Sequence, residues 1–166
     1  RVGRNENGIY YNMRGRDYGM GRARSDMLFD AAMARGIPTL AVGDGGNEIG
    51  MGLVGDVVKT SVPFGAPGDC ECGGGIGAVS GADILMTAAV SNWGCTAICA
   101  AMALRVGDKR LIHTPAMEAR LLEVMTANGL INSADGLIDP HVDGINDTTH
   151  IAVAELALAI TRKMLG

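Results

Sequence analysis

Aromatic residues are scarce in this sequence, six in 166, with a single tryptophan. A core with so few rings must be filled by small and aliphatic side chains, and nearly half of the chain is apolar. The same scarcity leaves little to stack on bases. With a formal charge of −4, nucleic acid is not an expected partner. A membrane is not expected either. The long apolar stretch at 88–106 is built on alanine and interrupted by Ser91, Asn92, Gly94 and Thr96, which suits a core helix better than a span. No signal-peptide pattern is present. The four cysteines therefore read as free thiols in a reducing compartment, the cytoplasm or, in a eukaryote, the mitochondrial matrix. No second Cys-x-x-Cys and no histidine pair stands at ligand spacing from Cys70 and Cys72, so that pair is left as a metal or redox couple without a zinc framework. Cys95 and Cys99, four apart on a helical pattern, read as buried small hydrophobes.

Glycine, by contrast, is abundant: 25 residues, about twice the usual share. In an apolar chain this signals tight turns and close backbone approaches. Charge is unevenly placed. Residues 1–24 hold six arginines against Glu6 and Asp17, whereas the remainder is net acidic. The basic end is either a solvated or subunit-facing surface or a clamp for an anionic substrate. The chain opens without an initiator methionine, which reads as the interior of a longer protein.

Pattern and punctuation predict alternating helices and strands, hence an α/β fold with a layered, mostly parallel sheet flanked by helices, in one domain over 1–166. Residues 9–13 suggest a short strand. Ser25 should cap a helix over 26–35, with Met27, Leu28, Ala31 and Ala32 as its apolar stripe and Gly36 ending it. Residues 39–43 read as a buried parallel strand, and 56–62 as a second one. The glycine-rich stretch 63–77 is a loop, and the first half of 82–90 suits a strand. Ser91 or Asn92 should cap a buried helix over 94–106, followed by a short strand at 109–113. Thr114 and Pro115 open a helix over 115–128 with Met117, Leu121, Leu122 and Met125 inward. A polar turn region at 132–147 leads to the last helix, 148–164, capped by Asp147.

Four stretches could carry chemistry. Gly43-Asp44-Gly45-Gly46-Asn47-Glu48 follows a predicted strand, where open α/β sheets bind ligands. It has neither the Gly-Lys-Ser/Thr of a phosphate loop nor GxGxxG spacing, so no nucleotide cofactor is expected. Asp44, Asn47 and Glu48 together suit a hard divalent cation, magnesium or manganese, or a base and hydrogen-bond partners for an amine. Helix capping by surface acids is the plainer alternative. The segment 139–150 brings Asp139, His141, Asp143, Asp147 and His150 into one polar run, readable as a metal site, an acid–base pair or a capped turn. Residues 91–94 end an apolar run and open a helix, so the N–H groups at Asn92 and Trp93 could receive a carboxylate. Around Asn12, the guanidinium of Arg14, with Arg16 nearby, suits bidentate carboxylate recognition.

Taken together, "GIYYNMRG", "GIPTLAVGDGGNEIGMG" and "ADILMTAAVSNWG", in this order and spacing, resemble the D-glutamate cyclase family, specifically its C-terminal domain. The resemblance covers about residues 3–105, with the closing "VDG…H" segment matching more loosely. It implies a hydro-lyase that closes D-glutamate to 5-oxo-D-proline with loss of water, on an α/β sheet similar to that of DHH-type phosphoesterases. It also implies a further N-terminal segment, supplying a strand and part of the site. The expected partners are a small acidic substrate and either that segment or a second copy of the chain. For this chemistry Asp44 and Glu48 are the candidate base or metal ligands, with Asn47 orienting. Asn12 and Arg14, or the N–H groups at Asn92 and Trp93, would hold the substrate. Asp143 and His150 are the next candidates for acid or ligand. A metal-dependent phosphoesterase and a non-catalytic assembly module are the alternatives.

Overall fold

A computed structural model describes residues 2–21, 23–132 and 136–166. Arg1 and Arg22 of the basic end and residues 133–135 of the polar turn region lie outside the described residues. The chain divides into two compact units, Arg1–Ser91 and Asn92–Gly166.

The first unit is α/β. It contains α1 (Asp26–Ala34), β1 (Leu40–Gly43), a 3-10 turn at Met51–Val54, α2 (Gly55–Ser61) and β2 (Ile84–Thr87). The two strands pair in parallel, Leu40 with Ile84 through Gly43 with Thr87. Asp83 joins their starts, accepting the N–H of Thr39 at 2.7 Å and its hydroxyl at 2.8 Å, while Thr39 Oγ1 accepts the Asp83 N–H. Parallel pairing brings the two carboxyl ends out side by side, and Ala88 N–H donates to the Gly43 carbonyl at 3.1 Å. The loops leaving β1 and β2 therefore start as neighbours, although 44 and 88 are far apart in sequence. A small core of Tyr11, Cys70 and Ile76 lies under the long loop, with Ile9, Val62 and Cys72 packed on it.

Several sequence expectations give way here. Residues 9–13 form no strand beyond a Tyr11–Asp17 bridge, because Asn12 Oδ1 takes the N–H groups of Arg14 and Arg16 and turns the backbone instead. Residues 56–61 are helical, not extended, and Val62 after them is extended; Val58 is buried and Val57 exposed. In α1 the apolar stripe is on the outside: Met27 and Leu28 are exposed, and Asp26 is buried instead. Its carboxylate accepts Arg4 Nη1 at 2.7 Å and the Tyr10 hydroxyl at 2.8 Å, and this network holds the helix. Ser25 has helical backbone angles and makes no side-chain cap.

The second unit carries helices: the body of α3 (Ser91–Val106), α4 (Pro115–Ala127) and α5 (Asp147–Leu165). Ala103, Ile112 and Leu158 form its core. The α3 helix begins at Ser91 rather than Gly94 and is only partly buried. Cys95 and Met102 are exposed, and the buried residues are Gly94, Thr96 and Ala103. In place of the strand expected at 109–113, Lys109–Leu111 make a 3-10 turn, which Asp108 caps by accepting the Arg110 N–H at 2.9 Å. Thr114 caps α4 as expected, with Pro115 in its first turn. Its inward residues are Glu118 and Leu122 rather than Met117 and Leu121, and Glu118 is held there by His113 Nε2 at 2.6 Å. Asn146, not Asp147, caps α5; its side chain accepts the Thr149 N–H at 3.0 Å. No described helix is long and apolar enough to cross a membrane.

Candidate active site

The glycine loop after β1 folds around its own glutamate. Gly45 N–H donates to Glu48 Oε1 at 3.0 Å and Gly46 N–H to Oε2 at 2.8 Å, so the loop forms an anion-binding nest whose occupant is a side chain two to three residues ahead. Glu48 is 8% exposed. Burial pushes its carboxyl above the usual range and the neighbouring Asp44 carboxyl, hydrogen-bonded to it, pushes it further, while the Gly46 N–H works in the opposite sense.

Asp44 itself does not cap the turn that follows it. Its Oδ2 accepts the N–H of Ser91 at 2.6 Å and the Ser91 hydroxyl, so it satisfies the first N–H of α3 from the end of the adjacent strand. This follows from the parallel register, which puts residues 44 and 91 beyond the same sheet edge.

The "YYNMRG" segment lies on this loop. Asn47 Nδ2 donates to the Tyr11 carbonyl at 2.6 Å, and the Asn47 carbonyl accepts the Gly3 N–H at 2.8 Å. A Cβ on Gly45 would sit 2.6 Å from Met13 Sδ, so the end of the Met13 side chain packs directly against this glycine. Three of the sequence motifs thus converge in the first unit around the Asp44–Glu48 pair: the 11–14 turn, the glycine loop and Ser91. Arg14 is exposed on that turn, whose shape Asn12 sets by accepting the Arg14 N–H at 2.9 Å.

The candidates in the second unit are placed differently. His150 is 2% exposed, with Nδ1 accepting the Trp93 indole N–H at 3.0 Å and Nε2 3.3 Å from the Val142 carbonyl. Both ring nitrogens are engaged in tying α3 to α5 and to the 142–145 turn. Asp143, at φ 55, and Gly144, at φ 76, form the centre of that turn between the bridged Val142 and Ile145, the two left-handed positions of a type I′ turn. Asp139 pairs with His141 at 3.0 Å, and Asp147 lies in the first turn of α5. Asn92 and Trp93 follow Ser91 in the first turn of α3, where the Asn92 carbonyl accepts the Thr96 hydroxyl.

Among the described residues no group of three or more His, Cys, Asp and Glu is placed to hold a metal. Asn47 donates its amide nitrogen to the Tyr11 carbonyl, and Asp44 accepts from Ser91. Sequence reasoning overlooked a further polar cluster, Asn5 with Tyr11, Cys70 and Cys72, because nothing in the spacing of residue 5 and residue 72 signals contact.

A family profile described as "D-glutamate cyclase-like, C-terminal" matches residues 1–156. The chain belongs to this family. It is 28% identical, over 185 aligned residues, to the human protein named "D-glutamate cyclase, mitochondrial", with 97% of this chain and 29% of the human protein covered. The chain thus spans under a third of that relative's length.

Proposed function

We propose that this member of the D-glutamate cyclase-like C-terminal family converts D-glutamate to 5-oxo-D-proline and water, with the Asp44–Glu48 pair moving the protons. The carrying observation is the buried Glu48 carboxyl, fixed by the Gly45 and Gly46 N–H groups and facing Asp44.

The chemistry balances on two protons. Ring closure forms a bond from the amine nitrogen to the γ-carbon and breaks one γ-carbon–oxygen bond. The ammonium loses two protons in becoming an amide N–H, and the departing oxygen needs two to leave as water. Substrate and product carry the same charge, so the enzyme has only to carry protons from nitrogen to oxygen. A carboxyl pair does this in two exchanges: each time one member takes a proton from the nitrogen while the other delivers one to the leaving oxygen. Raising the Glu48 pKa moves it toward the working pH. Arg14 would hold the α-carboxylate as a bidentate partner. No proton-transfer role is proposed for His150, whose ring nitrogens are both occupied, or for Asp143, which builds a turn. The proposed setting is the cytoplasm or mitochondrial matrix, supported by the four free thiols and by the mitochondrial name of the human relative.

The test is incubation of the full-length protein with D- and L-glutamate, with and without chelator, assaying 5-oxoproline. Formation of 5-oxoproline from the D-isomer, unaffected by chelator, is expected. Its absence, with phosphate released from phosphate esters in the presence of magnesium or manganese, would instead select the metal-dependent phosphoesterase.

A further inference from the structure

The long loop of the first unit holds two thiols in contact. Cys70 Sγ and Cys72 Sγ are 3.3 Å apart, with the exposed Glu71 between them in sequence. Their surroundings differ. Cys70 is buried in the core with Tyr11 and Ile76, whereas Cys72 is half-buried and reachable from solvent. The sulfur of Cys72 is ringed by donors. Asn5, 1% exposed, is oriented by its neighbours: its Oδ1 accepts the N–H groups of Asn7 and Ile9, both at 3.0 Å. That fixes Nδ2 as the atom facing the Gly75 carbonyl at 2.7 Å and Cys72 Sγ at 3.1 Å, so the sulfur must accept. Gly74 N–H also points at Sγ, at 3.4 Å. The Tyr11 hydroxyl accepts the Cys72 N–H at 3.2 Å, which leaves its own proton for the sulfur. A buried amide aimed at a sulfur stabilises a thiolate and does little for a thiol.

We propose that Cys70 and Cys72 form a peroxide-reactive dithiol in which Cys72 is the nucleophile and Cys70 the resolving thiol. The Cys72 thiolate attacks the terminal oxygen of a hydroperoxide. A sulfur–oxygen bond forms, the oxygen–oxygen bond breaks, and the leaving alkoxide or hydroxide takes up a proton as alcohol or water. Cys70 then attacks the sulfenic acid, forming the disulfide and releasing water. Two thiols and one hydroperoxide thus give one disulfide, one alcohol or water, and one water. Closing the bond needs the sulfurs to approach by little more than an ångström, to about 2.05 Å. A one-residue spacer closes a small, strained ring, and such disulfides are readily reduced, so a dithiol restores the pair. Burial alone would push the Cys72 thiol up; Tyr11, the Gly74 N–H, Asn5 and Cys70 outweigh it and bring it down to about 6. Tyr11 and Cys70 are the titratable groups in contact with it.

The experiment treats the reduced full-length protein with one equivalent of hydrogen peroxide at pH 7, alkylates the remaining thiols, and maps them by mass. The expected product is a disulfide within the peptide carrying Cys70 and Cys72, with Cys95 and Cys99 still alkylated. Cys72 should react about tenfold faster than Cys95, a preference lost in denaturant. In Cys70→Ser, dimedone should trap a sulfenic acid at Cys72; in Cys72→Ser, Cys70 should stay reduced. Equal reaction of Cys72 and Cys95 in the native protein, or oxidation of Cys72 without pairing to Cys70, overturns the proposal. The wild-type mapping decides the matter even if a variant fails to fold, and it does not depend on D-glutamate turnover.

Discussion

Asp44 accepts the backbone N–H of Ser91 at 2.6 Å, although 47 residues separate them. The bond exists because β1 and β2 run parallel and end together, and it fixes one carboxylate of the proposed pair beside the other.

Glu48→Gln should keep the fold and lose the reaction. The amide oxygen can still accept the Gly45 and Gly46 N–H groups, but the side chain no longer takes a proton. A fall in 5-oxoproline formation of about 10²- to 10⁴-fold is expected, the usual worth of a general acid or base. Wild-type turnover in this variant removes Glu48 from the mechanism.

The same variant should flatten part of the stability profile. A carboxyl whose pKa is raised on folding binds its proton more tightly in the native state than in the unfolded chain. Stability therefore falls as pH rises from the ordinary value near 4.5 through the raised native value. Urea titrations of wild type and Glu48→Gln across this window should diverge, with the wild type losing ground as pH increases. Parallel curves would show that the Glu48 pKa is not raised.

Gly50→Ala should destabilise the first unit by about 3 kcal/mol. Gly50 sits at φ 95, and an added Cβ would collide with the Ala41 Cβ on β1. By contrast, Gly55, which has open space around it, should accept alanine with little change in melting temperature.

Asn146→Ala should cost about 1 kcal/mol in thermal unfolding, because the Asn146 side chain takes the Thr149 N–H. Asp147→Ala should cost only a few tenths, the worth of a charge in the first turn. The reverse order would restore Asp147 as the cap.

Trp93→Phe should destabilise the second unit by about 1–3 kcal/mol, since it leaves the buried Nδ1 of His150 without its donor. Far-UV circular dichroism is the right probe, as the variant has no tryptophan left to follow. An unchanged midpoint would mean that the indole contributes only its packing.

Much of the architecture follows from local rules. The β1 strand announces itself by an aliphatic run closed by glycine, and α4 by Thr114 before Pro115, because these signals depend only on neighbours a few residues away. The glycine-rich motif likewise marks the place of the candidate site. Elsewhere local pattern misled. The stripe of α1 has the pattern of a core face, but Asp26, buried by its bonds to Arg4 and Tyr10, turns the helix the other way. The valines at 57 and 58 suited a strand until Val58 found its place under Gly46. By itself, then, the sequence determined the family, the α/β class and the loop that carries Asp44, Asn47 and Glu48. Only the tertiary structure decided what each polar group does. It gave Glu48 to the nest of its own loop, Asp44 to Ser91, Asn47 to Tyr11, His150 to Trp93 and Asn5 to Cys72. The reason is physical: a polar side chain taken out of water must find a partner, and that partner is set by strand register and chain crossing over tens of residues, which no local spacing records.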